Sequence, residues 1–205
     1  LVRILTPLLK FRACRDNVPV ATGAMEVRGG NGYVEDWVNA RLIRDAQVGL
    51  LWEGTSNINA LDVITRAIAK VRAHYTLAGT LQDKIDDAPD IPGQFQGLLS
   101  AQVERAFAFA DEVAGDPAQE DKARMATNAL YHAASAVLLA WEGATVGAAG
   151  GDARRLLLSR MVVDNRLLPQ DPLAAGENRF AKAAATLLLQ DDPVPLAQVR
   201  DTLAL

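Results

Sequence analysis

The stretch TSNINALDVITRAIAKVRAH, residues 55–74, decides the fold class. Ile58, Leu61, Ile64, Ile68 and Val71 recur at spacings of three and four. On a helix those positions line one stripe, the pattern of a segment with one face in a core. Thr55 or Ser56 stands where an N-cap is expected. Upstream, Thr6-Pro7 reads as a helix start, with proline in the first turn where its missing N–H does no harm. That helix runs to about Arg28, with a kink or break near Val18 because Pro19 follows. Gly29-Gly30-Asn31-Gly32 ends it, and a short helix is expected over about Asp36 to Ala46.

Downstream, Asp83 to Gly93, with its Asp-Asp-Ala-Pro-Asp-Ile-Pro-Gly, is the best internal linker. Helices follow at about Gln94 to Ala114, Gln119 to Ala148, Asp152 to Arg166 and Glu177 to Gln190, with a short one after Pro195. Gln170-Asp171-Pro172 reads as a turn. Phe107, Leu130, Val137, Leu138 and Trp141 are ordinary core candidates. No strand-like alternation and no fixed-period repeat is evident. Helices joined by short turns define an all-α bundle. We expect a core at residues 1–82 and a helical C-terminal extension at 92–205 packing on it.

Composition narrows the function classes. Acid and base nearly balance to a net charge of −4. That argues against a nucleic-acid partner, which selects a basic face. The arginines that such a face would use, Arg154, Arg155, Arg160 and Arg166, are interleaved with Asp152 and Asp164. A lone cysteine, Cys14, excludes an internal disulfide and a cysteine metal cluster. His74 and His132 lie far apart and read as packing or surface residues rather than ligands, so no metal is expected. No apolar run is long enough for a membrane span and no targeting signal is visible, so the default location is cytoplasmic. The chain opens on Leu1 without an initiator Met, which is read as a fragment or processed product.

Three segments are candidates for chemistry. Gly29-Gly30-Asn31-Gly32-Tyr33 is either a glycine-rich helix stop or a place where backbone amides meet an anion such as a pyrophosphate. Arg41 and Arg44, with Asp45 beside them, are either a functional cluster or a solvated face with local ion pairs. Trp52-Glu53-Gly54-Thr55-Ser56-Asn57-Ile58 places an acid between an apolar stretch and a glycine. Glu53 is either an exposed acid before a helix cap or, held against Leu51 and Trp52, a carboxylate of raised pKa suited to general-base work.

In order and spacing, these segments resemble the C-terminal domain of the acyl-CoA dehydrogenase superfamily. The likeness is carried by Glu26-Val27-Arg28-Gly29-Gly30-Asn31-Gly32-Tyr33, by Arg41 to Ala46, and by Glu53-Gly54-Thr55-Ser56-Asn57-Ile58. It extends from about Leu5 to Ala69 and is nearest the branch of the bacterial alkylation-response flavoproteins, where Trp-Glu-Gly and Leu-Asp-Val (here Leu61-Asp62-Val63) also occur. The resemblance implies an FAD-dependent oxidoreductase of fatty acid metabolism that acts on an acyl-CoA thioester. Glu53 would be the base that removes the α-proton. Gly54 and Trp52 would line the substrate site, and Thr55 and Asn57 would contact FAD. Glu26, Gly29 and Gly30 would receive the flavin's diphosphate side from a neighbouring subunit of a homo-oligomer, a dimer or tetramer. An electron-transfer flavoprotein would be the electron acceptor. Glu26 stands where many members have Gln, and Trp52 where Tyr is frequent. Chain-length preference therefore does not transfer. The remaining readings are a DNA-associated alkylation-response protein and a helical oligomerisation module without chemistry. The flavin-holding domains of the family are not visible in the chain, so these residues alone are expected neither to retain FAD nor to turn over substrate.

Overall fold

Ile4, Pro7, Leu8 and Phe11 are buried at spacings of three, one and three, and they seat the first half of a long helix, α1 (Val2–Val27). The helix starts earlier than the Thr6-Pro7 signal suggests. Pro7 is inside it, and so is Pro19, with no break at Val18. Each proline removes one intrahelical hydrogen bond. Burial of the Ile4–Phe11 stripe offsets this at Pro7, whereas Pro19 is exposed.

The computed structural model describes residues 1–52, 54–171, 173 and 178–205. The helices after α1 are α2 (Gly30–Tyr33), α3 (Asn39–Gly49), α4 (Ser56–Leu61), α5 (Ala73–Asp86), α6 (Gly93–Gly115), α7 (Ala123–Ala148), α8 (Arg155–Val162), α9 (Arg179–Leu188) and α10 (Leu196–Leu203). A π-helical segment, Asp62–Ile68, continues α4, and a second, Val163–Leu167, continues α8. A 3₁₀ turn, Pro117–Lys122, precedes α7, where Asp116 accepts a hydrogen bond from the Ala118 amide at 2.9 Å. Among the described residues there is no strand, so the fold is all-α. Pro172 and Glu177, in the expected turn and helix start, lie outside the described residues. Asn178 caps α9, accepting from the Ala181 amide at 2.9 Å.

The chain divides into two units. The first holds Leu1–His74 and Ala110–Asn128, the second Tyr75–Phe109 and Ala129–Leu205. In the first, α1 packs against α3, α4 and the π segment. The buried stripe of α4 and its continuation is Ala60, Val63, Ile64, Ala67 and Ile68. Ile58 and Val71, expected on it, are 59% and 56% exposed. The stripe runs through two alanines, whose small side chains let the helices approach closely. The helical run ends at Arg72 with φ +55°, a left-handed stop for which Asp111 supplies an ion pair at 2.8 Å. His74 is buried, and its imidazole lies 3.2 Å from the same carboxylate.

In the second unit Leu77, Leu81 and Ile85 of α5, Phe95, Leu99 and Phe107 of α6, and Leu130 and Val137 of α7 are buried. Leu138, expected in the core, is 44% exposed, one position out of phase with Val137. Trp141 is half-buried, with the Lys84 ammonium 3.7 Å from its ring centroid. Gly143 and Gly147 let α7 meet its neighbours at backbone distance. A Cβ on Gly143 would stand 2.4 Å from the Leu156 amide nitrogen, and one on Gly147 2.7 Å from the Ala153 Cβ.

Candidate functional site

Glu53 lies outside the described residues, so the site is built from what flanks it. The chain leaves α3 at Gly49 and closes a turn, the Trp52 amide donating to the Val48 carbonyl at 3.1 Å. Leu51 and Trp52 are 68% and 59% exposed. The apolar neighbours expected to wall a carboxylate therefore face solvent in this chain. Gly54 follows at φ +94°, a backbone state that an L side chain rarely adopts. Thr55 then takes the N-cap position of α4, but its side chain makes no capping hydrogen bond. Asn59, inside the helix, ties its start down differently, donating to the Gly54 carbonyl at 2.9 Å and the Thr55 carbonyl at 3.0 Å. Thr55 and Asn57 are exposed and Gly54 is half-buried.

Helix α1 holds this loop from the other side. The Lys10 ammonium donates to the Gly49 carbonyl at 3.0 Å and lies 5.9 Å from the Trp52 ring centroid. Arg15 donates to the Ser56 hydroxyl at 3.1 Å. No pattern in the sequence singled out Lys10, Arg15 or Asn59. Arg3 makes a two-pronged ion pair with Asp62, at 2.6 and 2.9 Å. The Arg3 hydrogen bonds hold the Asp62 carboxyl below its usual range, overcoming the opposing effect of partial burial.

The glycine-rich segment has a different construction. Gly29 takes φ +57° at the end of α1. Gly32 is there for contact, since its Cβ would stand 2.3 Å from the Met25 carbonyl oxygen. Gly30 has neither reason: its φ is not in the left-handed region and its Cβ would meet open space. Glu26, Gly29 and Gly30 are exposed. A Cβ added at Gly29 or Gly30 would meet nothing within 4 Å, so an anionic group has access to this backbone among the described residues. This loop and the head of α4 are apart. Arg15, which anchors α4, and Gly29 are fourteen residues from each other, roughly 20 Å along α1.

Arg41 and Arg44 are a solvated face with local pairs. Arg44 grips Glu35 at 2.7 and 3.1 Å, and Arg41 lies 3.6 Å from Asp45. The Arg44 hydrogen bond lowers the Glu35 pKa. Among the described residues no His, Cys, Asp or Glu cluster suits a metal ion. No described helix is long and apolar enough to cross a membrane.

Comparison with known proteins finds relatives of the first third of the chain. Residues 2–69 match the family model of the acyl-CoA dehydrogenase C-terminal domain. Acyl-CoA dehydrogenase family member 11 of Caenorhabditis elegans is 45% identical over 64 residues, 31% of this chain and 10% of that protein. AidB of Escherichia coli strain K12, provisionally named an acyl-CoA dehydrogenase, is 43% identical over 75 residues, 37% of this chain and 14% of its own. The broad-specificity linear acyl-CoA dehydrogenase FadE5 of Mycobacterium tuberculosis is 29% identical over 85 residues, 40% of this chain and 14% of that protein. The chain thus spans about a tenth to a seventh of the length of these curated relatives. No solved structure matches it.

Proposed function

We propose that the chain is the C-terminal part of an FAD-dependent, acyl-CoA dehydrogenase-like oxidoreductase that forms an α,β double bond in an acyl-CoA thioester. The observation that carries this reading is the family match over residues 2–69, which includes the Trp52-Glu53-Gly54 motif just ahead of α4 in the sequence. FAD, when bound, supplies the acceptor for the β-hydride. Glu53 takes the α-proton, and the electron pair of that C–H bond becomes the new π bond as the hydride leaves Cβ. Gly54 lets the thioester pass close to the backbone, and the exposed Trp52 ring borders it. Thr55, with its hydroxyl not spent on capping, and Asn57 face the cofactor. Leu51 and Trp52 are exposed here, so the dry surroundings that a carbon-acid base needs come from surfaces beyond these residues.

Glu26, Gly29 and Gly30 serve the diphosphate side of a second flavin, held by a neighbouring subunit. The distance along α1 between this loop and the head of α4 supports that division, and so does the open space over Gly30. The parent is then a homo-oligomer passing electrons to an electron-transfer flavoprotein, and residues 92–205 are a helical extension without a chemical motif. The DNA-associated alternative has less to rest on. Arg154, Arg155 and Arg160 are paired with Asp152 at 2.7 Å, Glu142 at 2.9 Å and Asp164 at 2.8 Å. Phosphate neutralisation draws on cations not already matched.

The test is the visible spectrum of the full-length protein before and after butyryl-, isovaleryl- and octanoyl-CoA. Bleaching of an oxidised flavin band supports a dehydrogenase. A bound flavin that none of them reduces turns the reading toward the non-metabolic branch.

A further inference from the structure

Helix α8 is apolar on two sides. Leu156, Leu157 and Val163 are buried in the core of the second unit. Leu158, Met161 and Val162 face another way, and Leu158 is 36% exposed. Together with Leu139 of α7 they line a groove of about 720 Å³ that is open to solvent. Asn165 and Arg166 line it one turn further along the chain. The cations around α8 are unevenly matched. Arg154, Arg155 and Arg160 are each held by a carboxylate, whereas Arg166 has no acidic partner among the described residues. Arg105 comes to the same end from α6, reaching the Leu167 carbonyl at 3.5 Å, and it too has no acidic partner among the described residues.

We propose that this groove takes an amphipathic helix of a partner protein, one with carboxylates in its first turn and an apolar face behind them. The spacing of Leu158, Met161 and Val162 is that of a helix surface, whose ridges seat against those of a second helix. Arg166 follows Val162 by four residues, roughly 6 Å along the axis, so the partner's acid belongs one turn beyond its apolar anchors. A carboxylate in a first turn also meets the positive end of its own helix dipole, so the partner runs antiparallel to α8. Other occupants fit less well. An acyl chain in an open groove leaves much of its surface in water. A second copy laid antiparallel sets Arg166 against Glu142, which Arg155 already holds at 2.9 Å. Duplex DNA gains from a row of unmatched cations and nothing from an apolar floor. The groove lies outside the family-matched residues 2–69, and it gives the helical extension a binding role.

The probe is a fluorescein-labelled peptide with glutamates in its first turn and leucines at i, i+3, i+4 and i+7 behind them. It is titrated into the full-length protein and followed by anisotropy, beside a scrambled peptide of the same composition and one with lysines for the glutamates. The acidic peptide is expected to bind about tenfold or more tighter than the scrambled one, a clear step in affinity. It should also slow hydrogen exchange over residues 158–166. Arg166→Glu weakens it about 5- to 20-fold, because one exposed pair turns from attraction to repulsion, and the lysine peptide gains by a similar factor. Leu158→Gln weakens both peptides about tenfold through lost apolar burial. Should Leu158→Gln fail to fold, Val162→Thr is read by the same criterion. Equal binding of the scrambled peptide, or an affinity that Arg166→Glu leaves unchanged, overturns the proposal. Displacement of the peptide by decanoate or by duplex DNA also overturns it and assigns the groove to an acyl chain or to nucleic acid. So does a dimer, seen by sedimentation, that Leu158→Gln dissolves.

Discussion

Replacing Gly143 by alanine should destabilise the protein, and replacing Gly79 or Gly97 should stabilise it, although all three glycines lie inside helices. A glycine inside a helix costs about 1 kcal/mol relative to alanine, so propensity favours every one of these changes. At Gly79 and Gly97, both exposed, the new Cβ meets nothing within 4 Å. The full gain of about 1 kcal/mol is then kept, which for a chain of this size raises the melting temperature by roughly 2–4 °C. At Gly143 the Cβ would lie 2.4 Å from the Leu156 amide nitrogen and 3.1 Å from the Arg155 carbonyl carbon. Those are backbone atoms of the segment that opens α8, so relief means moving one helix against another. Overpacking costs about 1–3 kcal/mol, and a backbone clash belongs at the upper end. The net loss is about 2 kcal/mol, a fall of roughly 4–8 °C. Thermal melts followed by circular dichroism, with guanidinium midpoints beside them, read both signs. A Gly143→Ala variant that melts at or above the parent would refute the close approach of α7 and α8.

Other consequences are simpler to read. Asp62 has its pKa lowered chiefly by the Arg3 hydrogen bonds, so its contribution is present above the unfolded carboxylate value of about 4 and is lost as pH falls through the folded one. Asp62→Asn should therefore cost about 1 kcal/mol at pH 7, kept small because Arg3 is 41% exposed, and almost nothing near pH 2, as denaturant midpoints at the two pH values would show. Pro19→Ala should stabilise α1 by about 1–3 kcal/mol, since the exposed ring removes one hydrogen bond from a helix that runs on through it. A melting temperature that does not rise would mean the proline is needed where it stands.

The helical class was legible because period-three-and-four patterning survives in almost every segment. Boundaries and faces were less so, for physical reasons visible at single residues. Thr6-Pro7 has the chemistry of a helix start, but the stripe that seats α1 includes Ile4, ahead of it. The stripe of α4 passes through Ala60 and Ala67, which a search for bulky side chains steps over. Ile58, bulky and in register by spacing, is exposed. The candidate site was legible as a motif and not as a construction. Gly29, Gly54 and the Arg41–Asp45 pair could be read locally. Lys10 and Gly49 are 39 residues apart and meet only because α1 lies against α3. Asn59 looks from sequence like any polar residue on a helix face.

The central claim is that Glu53 is the base, and Glu53→Gln in the flavin-loaded full-length protein tests it most directly. A general base contributes about 10²- to 10⁴-fold in rate. The account predicts a variant that keeps its FAD and binds the thioester, yet reduces its flavin slower by that factor in a single turnover. A variant that bleaches at the parent's rate would contradict it, and would move the search for the base away from the head of α4.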